Sequence, residues 1–486
     1  MISPQQRLLL VVDAKSFPSA SYRSRKTPLM SEIPASAILT LVLIAAPLAF
    51  GSVREWAWGA IALATFLLLL WCSFREARKG VVRFYHSPLY VSSAASLLLG
   101  LVQLFGHTTA DRFFTREALL KLSLAWLLCF FAGQVLAGAT RVPKTKTELR
   151  EPPDRSLLEM EPVAVLSTPL FRWTVVAYTF LMALFAILQF LSNREMIYWA
   201  IRSPGWTFGP YVNHNHYAGL MEMLIPLSVA CALPELYRHA VAPAVGAMIF
   251  ISVVSLLLSG SRGGVLSFLV ELLLSAVLVL RFGSPRAQRV VGLTVSAGLL
   301  TAAFLFFWIA PEQITERMIR TLRRSNSAEL QWDRRLELDR DCLRILHDHP
   351  VMGVGLGAFE TAFPPYQSFA SDFRWDHAHD DYAELLAKTG CLGGAIALVT
   401  LAMFFRLSFS NLPARLRSVS GRIQVAAALG CCGILVHSAV DFNLHIPANA
   451  AWFAVSAAIA TFVPPVQRSP CVPAGRPVLG TPKLGH

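Results

Sequence analysis

The sequence predicts an all-α polytopic membrane protein of about 12 transmembrane helices, with one large outer loop between helices 9 and 10. Three observations carry that reading. Hydrophobic residues fill 55% of 486 positions, and the mean hydropathy is +0.52. Apolar runs of about 20 residues, long enough to cross a bilayer as a helix, recur along the chain. Lys and Arg gather in alternate connections, as the positive-inside rule expects. A net charge of +13 would suggest nucleic acid in a water-soluble protein, but here those connections account for it. Most of the eight Cys fall within the apolar runs (Cys72, Cys129, Cys231, Cys431, Cys432), so they outline no disulfide framework.

Taken in order, residues 1–33 are polar and basic. They lack the charged start, apolar core and cleavage site of a signal peptide, and read as a cytoplasmic tail. Apolar spans then run over 34–52, 57–74, 88–106, 118–138, 169–192, 217–234, 241–259, 264–281 and 290–310, which places helices 1–9 within 34–310. Helices 10–12 occupy 388–463, as spans 388–406, 423–440 and 447–463, and residues 464–486 form a second tail. With the N-terminus inside, the inner segments carry 25 Lys and Arg against 6 in the short outer loops (Arg54, Arg112, Arg116, Arg194, Arg202, Arg262). Both termini are therefore expected in the cytoplasm. The long loop 311–387 then lies outside. It holds an amphipathic helix near 327–347 and a turn-rich stretch, and loops of this length are functional or disordered. The Pro-rich stretch 143–169 reads as a flexible linker.

Three outer groups could carry chemistry. Ser261, Arg262 and Gly263 form a tight turn between two spans. A guanidinium fork there suits a phosphate, although a plain turn whose Arg snorkels to lipid would look alike. Arg334 and Arg335 lie on the amphipathic helix, which could equally rest on the membrane surface. The run from Trp375 to Gly394 opens with Asp376, His377, His379, Asp380 and Asp381 and turns apolar. On a continuous helix, His379 and Gly390 would share a face three turns apart, with Gly390, Gly393 and Gly394 admitting a neighbouring helix. Alternatively Asp380 and Asp381 merely cap a helix. Three H-x-H pairs (His214/His216, His347/His349, His377/His379) raise a metal site. Positions i and i+2 share a face only on a strand, however, so no metal and no cofactor are expected. The GVGLG run at 353–357 lacks the strand–turn–helix setting of a nucleotide fingerprint.

Over residues 205–460 the chain resembles the O-antigen ligase and polymerase superfamily of bacterial inner-membrane proteins. The resemblance rests on Asn213, Asn215 and Ala218 at the start of a span; on Ser261-Arg262-Gly263; and on Arg335 followed by HPVMGVGLGAF. It rests also on His379 spaced to Gly390 and Gly393, and on His437 to Pro447 with Asp441. Asp380 stands where Asn, Ser or Gln is usual, and Asp339 where a Trp often follows the loop Arg. The resemblance implies metal-independent glycosyl transfer on the periplasmic face, from undecaprenyl diphosphate to a sugar hydroxyl on lipid A–core or on a second lipid-linked glycan. His379, Arg262 and Arg335 would be catalytic, and Asn213, Asn215, Ser261, Arg334, Asp380, His437 and Asp441 would bind substrate. The chemistry agrees, because a diphosphate leaves readily when cations offset its charge, and an imidazole can deprotonate a hydroxyl. The alternatives are a polymerase of the same superfamily, a small-anion (bicarbonate-type) carrier and a structural partner of an export complex. Few charges lie within the spans, chiefly Glu222, Glu271 and Lys121, which speaks against a carrier.

Overall fold

The computed structural model describes residues 10–12, 33–79, 82–138, 164–193, 196–203, 206–285, 288–289, 332–371 and 374–464. Twelve longer helices appear among them: α1 (Ile33–Leu48), α2 (Glu55–Lys79), α3 (Pro88–Phe105), α4 (Arg112–Gly138), α5 (Pro169–Ser192), α6 (His214–Leu236), α7 (Ala242–Leu258), α8 (Arg262–Phe282), α9 (Trp332–Asp348), α10 (Asp381–Ser408), α11 (Val419–His437) and α12 (Pro447–Thr461). Eight of these (α2–α6, α8, α10, α11) are long and apolar enough to cross a membrane, and α1 and α7 are shorter apolar helices. Eleven of the twelve expected spans coincide with a helix. The ninth, 290–310, lies outside the described residues, as do the linker up to residue 163 and most of both tails. Two minor pairings, Leu10–Val12 with Val82–Phe84 and Met196–Ile197 with Ile201–Arg202, are the strand content of the described residues.

Burial separates centre from periphery. The apolar windows of α6 and α11 are 78% and 83% buried, against 22% in α2, α8 and α10. A helix apolar all round belongs inside a bundle, whereas Leu and Phe exposed along α2 and α8 suit a lipid face. The two central helices touch each other through Gly430, where a Cβ would press on the Met223 backbone. α12 packs on α4 and α11, α5 and α7 on α6, and α8 on α11, while α10 packs on both α3 and α9.

Basic residues at the far end serve the helix termini. The buried Arg415 guanidinium donates to the carbonyls of Leu407, Ser408, Ala460 and Phe462, satisfying the last orphan acceptors of α10 and α12. Arg172 donates to Cys231 O and pairs with Glu235 at 2.7 Å. These connections belong to the set counted as inner by charge.

The stretch 349–394 departs from the expected geometry. His379 does not sit on α10: it precedes the helix with φ 55°, and Asp380 is the N-cap. α10 is also interrupted, because Gly390 has φ 63° and ψ −167°. A Cβ there would overlap the Val351 carbonyl. The break admits the HPVMGVGLG loop instead of a neighbouring helix. Cys391 N and Leu392 N donate to Pro350 O and Val351 O, while Val354 N and Gly355 N donate to Ala387 O and Lys388 O. Gly393 abuts Thr389 of its own helix and Gly394 abuts Leu386. From α3, the fully buried Gln103 amide donates to Met352 O and Lys388 O, and its oxygen accepts from Leu356 N. The amphipathic helix expected at 327–347 is α9, over Trp332–Asp348, with Leu338, Cys342 and Ile345 buried against Phe359, Phe363 and Ala378.

Candidate active site

Three helix N-termini meet at the connection between α11 and α12, residues 437–446. Each begins with a side chain that accepts from its own first turn, satisfying amides the helix itself leaves unpaired. Asn213 caps α6, accepting from Asn215 N at 2.8 Å. Ser261 caps α8, accepting from Gly264 N at 3.1 Å. Asp380 caps α10, accepting from Tyr382 N and Ala383 N at 2.8 and 3.0 Å. Asn213, Ser261 and Asp380 are thus engaged as caps, and Ser261 is fully buried. Asn215 lies half-buried in the first turn of α6.

The connection joins the three ends. Asp381 N donates to Ser438 O, and Tyr382 Oη donates to Leu435 O. Gly263 abuts the His437 ring, which holds the Arg262 turn against the top of α11. His437 Nδ1 and Glu222 Oε1 lie 2.7 Å apart, so these buried polar groups of α11 and α6 satisfy each other.

Asp441 is the focus. Its buried carboxylate lies 3.5 Å from His379 Nδ1 and 3.9 Å from His216 Nε2. Burial pushes its pKa up, but the hydrogen bond from His379 and the charges of His216, His379 and His437 outweigh burial and hold it well below the carboxylate range. A carboxylate at Nδ1 fixes the imidazole tautomer and leaves Nε2 for a proton. His379 keeps 20% of its side chain exposed, with its edge on Phe442 and Trp375 nearby. A positive φ at a non-glycine residue costs on the order of 1–3 kcal/mol and persists where the surroundings over-determine it. Here Asp380 and Ala378, on either side, are both pinned.

The arginines divide. Arg262, at the first position of α8, is exposed and unpaired among the described residues. Arg335 on α9 is half-buried, and its charge acts on Asp339 one turn along. Asp339 is pushed up to about 6 by burial and by the Asp380 charge, with Arg335 opposing. Arg334 turns elsewhere, pairing with Glu337 at 3.4 Å and lying over the Phe369 ring.

The H-x-H pairs split rather than chelate. His214 stacks on Trp206 while His216 faces Asp441. His347 is exposed beside Asp348. His377 turns from His379 to join Glu384 and His445, whose ligand atoms lie within 4.8 Å of one another. Lys388 Nζ sits in that group, donating to Glu384 Oε1 at 2.8 Å and to His445 Nε2 at 2.6 Å. Sequence reasoning did not anticipate this second cluster. A Glu and a Lys four apart read as an ordinary helix-surface pair, and His445 is remote in sequence.

Beyond Tyr382, an apolar groove of 320 Å³ runs between α8, α10 and α11, lined by Val270, Leu274, Leu401, Phe405, Cys432 and Leu435. Such a groove can take a hydrocarbon chain whose polar head reaches the helix ends.

Residues 247–398 match the family model described as O-antigen ligase. The matched stretch takes in Ser261 to Gly263, Arg335, the HPVMGVGLG loop, His379 and Gly390. The residues that the fold sets against them, Asn213, His216, His437 and Asp441, lie outside it. No curated protein matches the chain. Over residues 247–398 the chain is thus similar to the O-antigen ligase family, and its long apolar helices make it a multi-pass membrane protein.

Proposed function

We propose that this chain transfers a glycan from undecaprenyl diphosphate to a sugar hydroxyl, as a ligase acting on lipid A–core, without a metal. The observation that carries the reading is the His379–Asp441 pair beside three converging helix N-termini and Arg262. The acceptor hydroxyl gives its proton to His379 Nε2 as its oxygen bonds to the anomeric carbon. The bond from that carbon to the diphosphate breaks, and its electron pair leaves with the diphosphate. Asp441 offsets the charge gained by the imidazole. Arg262, Arg335 and the positive helix ends offset the charge gathering on the leaving group. The apolar groove below Tyr382 would hold the prenyl chain.

In this reading the protein lies in the bacterial inner membrane. Both tails are cytoplasmic, and 311–387 faces the periplasm with the site. The charge asymmetry supports this orientation, and the anion-carrier alternative gains no support from the family match. The test is transfer by purified protein from lipid-linked donor to lipid A–core. Product that forms with native protein and is lost with His379→Ala supports the reading. A native protein that leaves donor intact with both lipid A–core and lipid-linked acceptors, yet binds donor, contradicts it.

A further inference from the structure

The cluster behind His379 has the donors of a metal centre, with an ammonium group among them. We propose that Lys388 is the resident cation of the site formed by His377, Glu384 and His445, and that it acts as a positioning residue for His379. The positioning half rests on the transfer reading above; the cation half does not.

The hydrogen-bond directions argue for it. An ammonium only donates, so the His445 Nε2 that it meets at 2.6 Å must offer a lone pair. The proton then sits on Nδ1, which donates to Asp381 Oδ1 at 2.7 Å. A ring donating Nδ1–H to a carboxylate while Nε2 faces a cation is the arrangement of a metal-ligating histidine with its supporting carboxylate. Glu384 Oε1 accepts from Lys388 and from His377 Nδ1 at 3.1 Å, and also lies 3.3 Å from His445 Nε2. Two imidazoles and one carboxylate whose ligand atoms lie within 4.8 Å of one another suit zinc, and the ammonium holds two of the three, Glu384 and His445. Glu384 is 1% exposed and Lys388 5%, so neither charge can be left alone there.

The cluster also reaches the reacting group. Glu384 Oε2 accepts from Ala378 N at 2.8 Å, on the residue before His379. The His377 ring stacks on Phe442, whose edge contacts His379. A cation that keeps Glu384 charged and in place therefore fixes the backbone from which His379 projects.

The experiment measures zinc bound to detergent-purified protein after gel filtration, for native, Lys388→Ala and the better-packed Lys388→Met proteins. The native protein should retain no stoichiometric zinc, and the Lys388 variants should retain one equivalent that a second change, Glu384→Gln, removes. Transfer kcat should fall at least tenfold in the variants with donor KM unchanged, and zinc should restore part of it. Folded Lys388 variants that bind no zinc overturn the proposal. So does one equivalent of zinc on the native protein that His445→Ala abolishes, and this arm needs no Lys388 variant to fold. A zinc result as expected with no native transfer would remove the transfer reading while leaving the resident-cation assignment intact.

Discussion

His377 and His379 rest on the same Phe442 ring, at centroid distances of 4.4 and 4.7 Å, yet their surroundings differ in kind. His377 lies in a closed set of charges. Burial pushes its pKa down, but the Glu384 carboxylate, by charge and hydrogen bond, with Asp376 behind it, raises it above the ordinary value. His445 across the cluster is lowered, first by burial and then by the Lys388 ammonium. Each of the four side chains there is hydrogen-bonded to another of the set. His379 instead has one carboxylate on one side and keeps an exposed face on the other. Buried charges in a complete set hold a shape, whereas an oriented imidazole with one nitrogen free can move a proton. The same residue type two positions apart thus takes a structural and a chemical part.

The strongest way to break the comparison is to remove the support both histidines share. Gly390→Ala would drive a methyl into the Val351 carbonyl at a backbone angle that L-residues avoid. We expect the docking of 350–357 to be lost, with a destabilisation of about 4 kcal/mol or more and no active protein. Limited proteolysis at the HPVMGVGLG loop checks this, and a variant as resistant as native protein contradicts it.

Next comes the leaving group. Arg262→Ala should cut transfer by ~10²–10³-fold, and Arg262→Lys nearly as much, because a point charge cannot reproduce a bidentate fork. If Lys restores most of the rate, Arg262 acts by charge alone.

Asp441→Asn probes the orienting side, with an expected loss of about 10²-fold in kcat and little change in donor KM. Because native Asp441 titrates below the carboxylate range, the native protein should keep this contribution above the normal carboxylate pKa and lose it only as pH falls well below that. An Asp441→Asn protein that keeps the native kcat would count against the assignment.

The smallest expected effect concerns Asp339. Its pKa of about 6 means that it is neutral at pH 5 and charged at pH 7.5, where it adds negative charge beside Asp380 and Arg335. Asp339→Asn should therefore lower donor KM by roughly threefold at pH 7.5, the scale of one screened charge, and change nothing at pH 5. Equal effects at both pH values would exclude a charge origin.

Much of this architecture was legible from the residues, because lipid makes the helix signal strong. Long apolar runs fall where helices are, and the Ser, Asn or Asp before three of them marks a helix start. Capping was one reading of Asp380, whereas for Asn213 and Ser261 the substrate reading left the local use as caps unread. His379, Arg262 and Asp441 entered through the family resemblance, and the fold sets His379 3.5 Å from Asp441. The lone Gln103 within an apolar span was a signal of a buried network that went unread. Glu384, Lys388 and His445 could not be found, since only the turn between α11 and α12 brings His445 back to α10. The break at Gly390 was hidden too, because glycines three and four apart also describe close helix packing.

The division of labour between a reacting His379 and a structural His377 is tested most directly by the rate of transfer from lipid-linked donor in the two alanine variants, with and without chelator. His379→Ala should lower kcat by ~10²–10⁴-fold with donor binding retained. His377→Ala should cost less than about tenfold, or 1.4 kcal/mol, and chelator should change neither. Equal losses in the two variants, with native activity abolished by chelator and restored by zinc, would contradict that division.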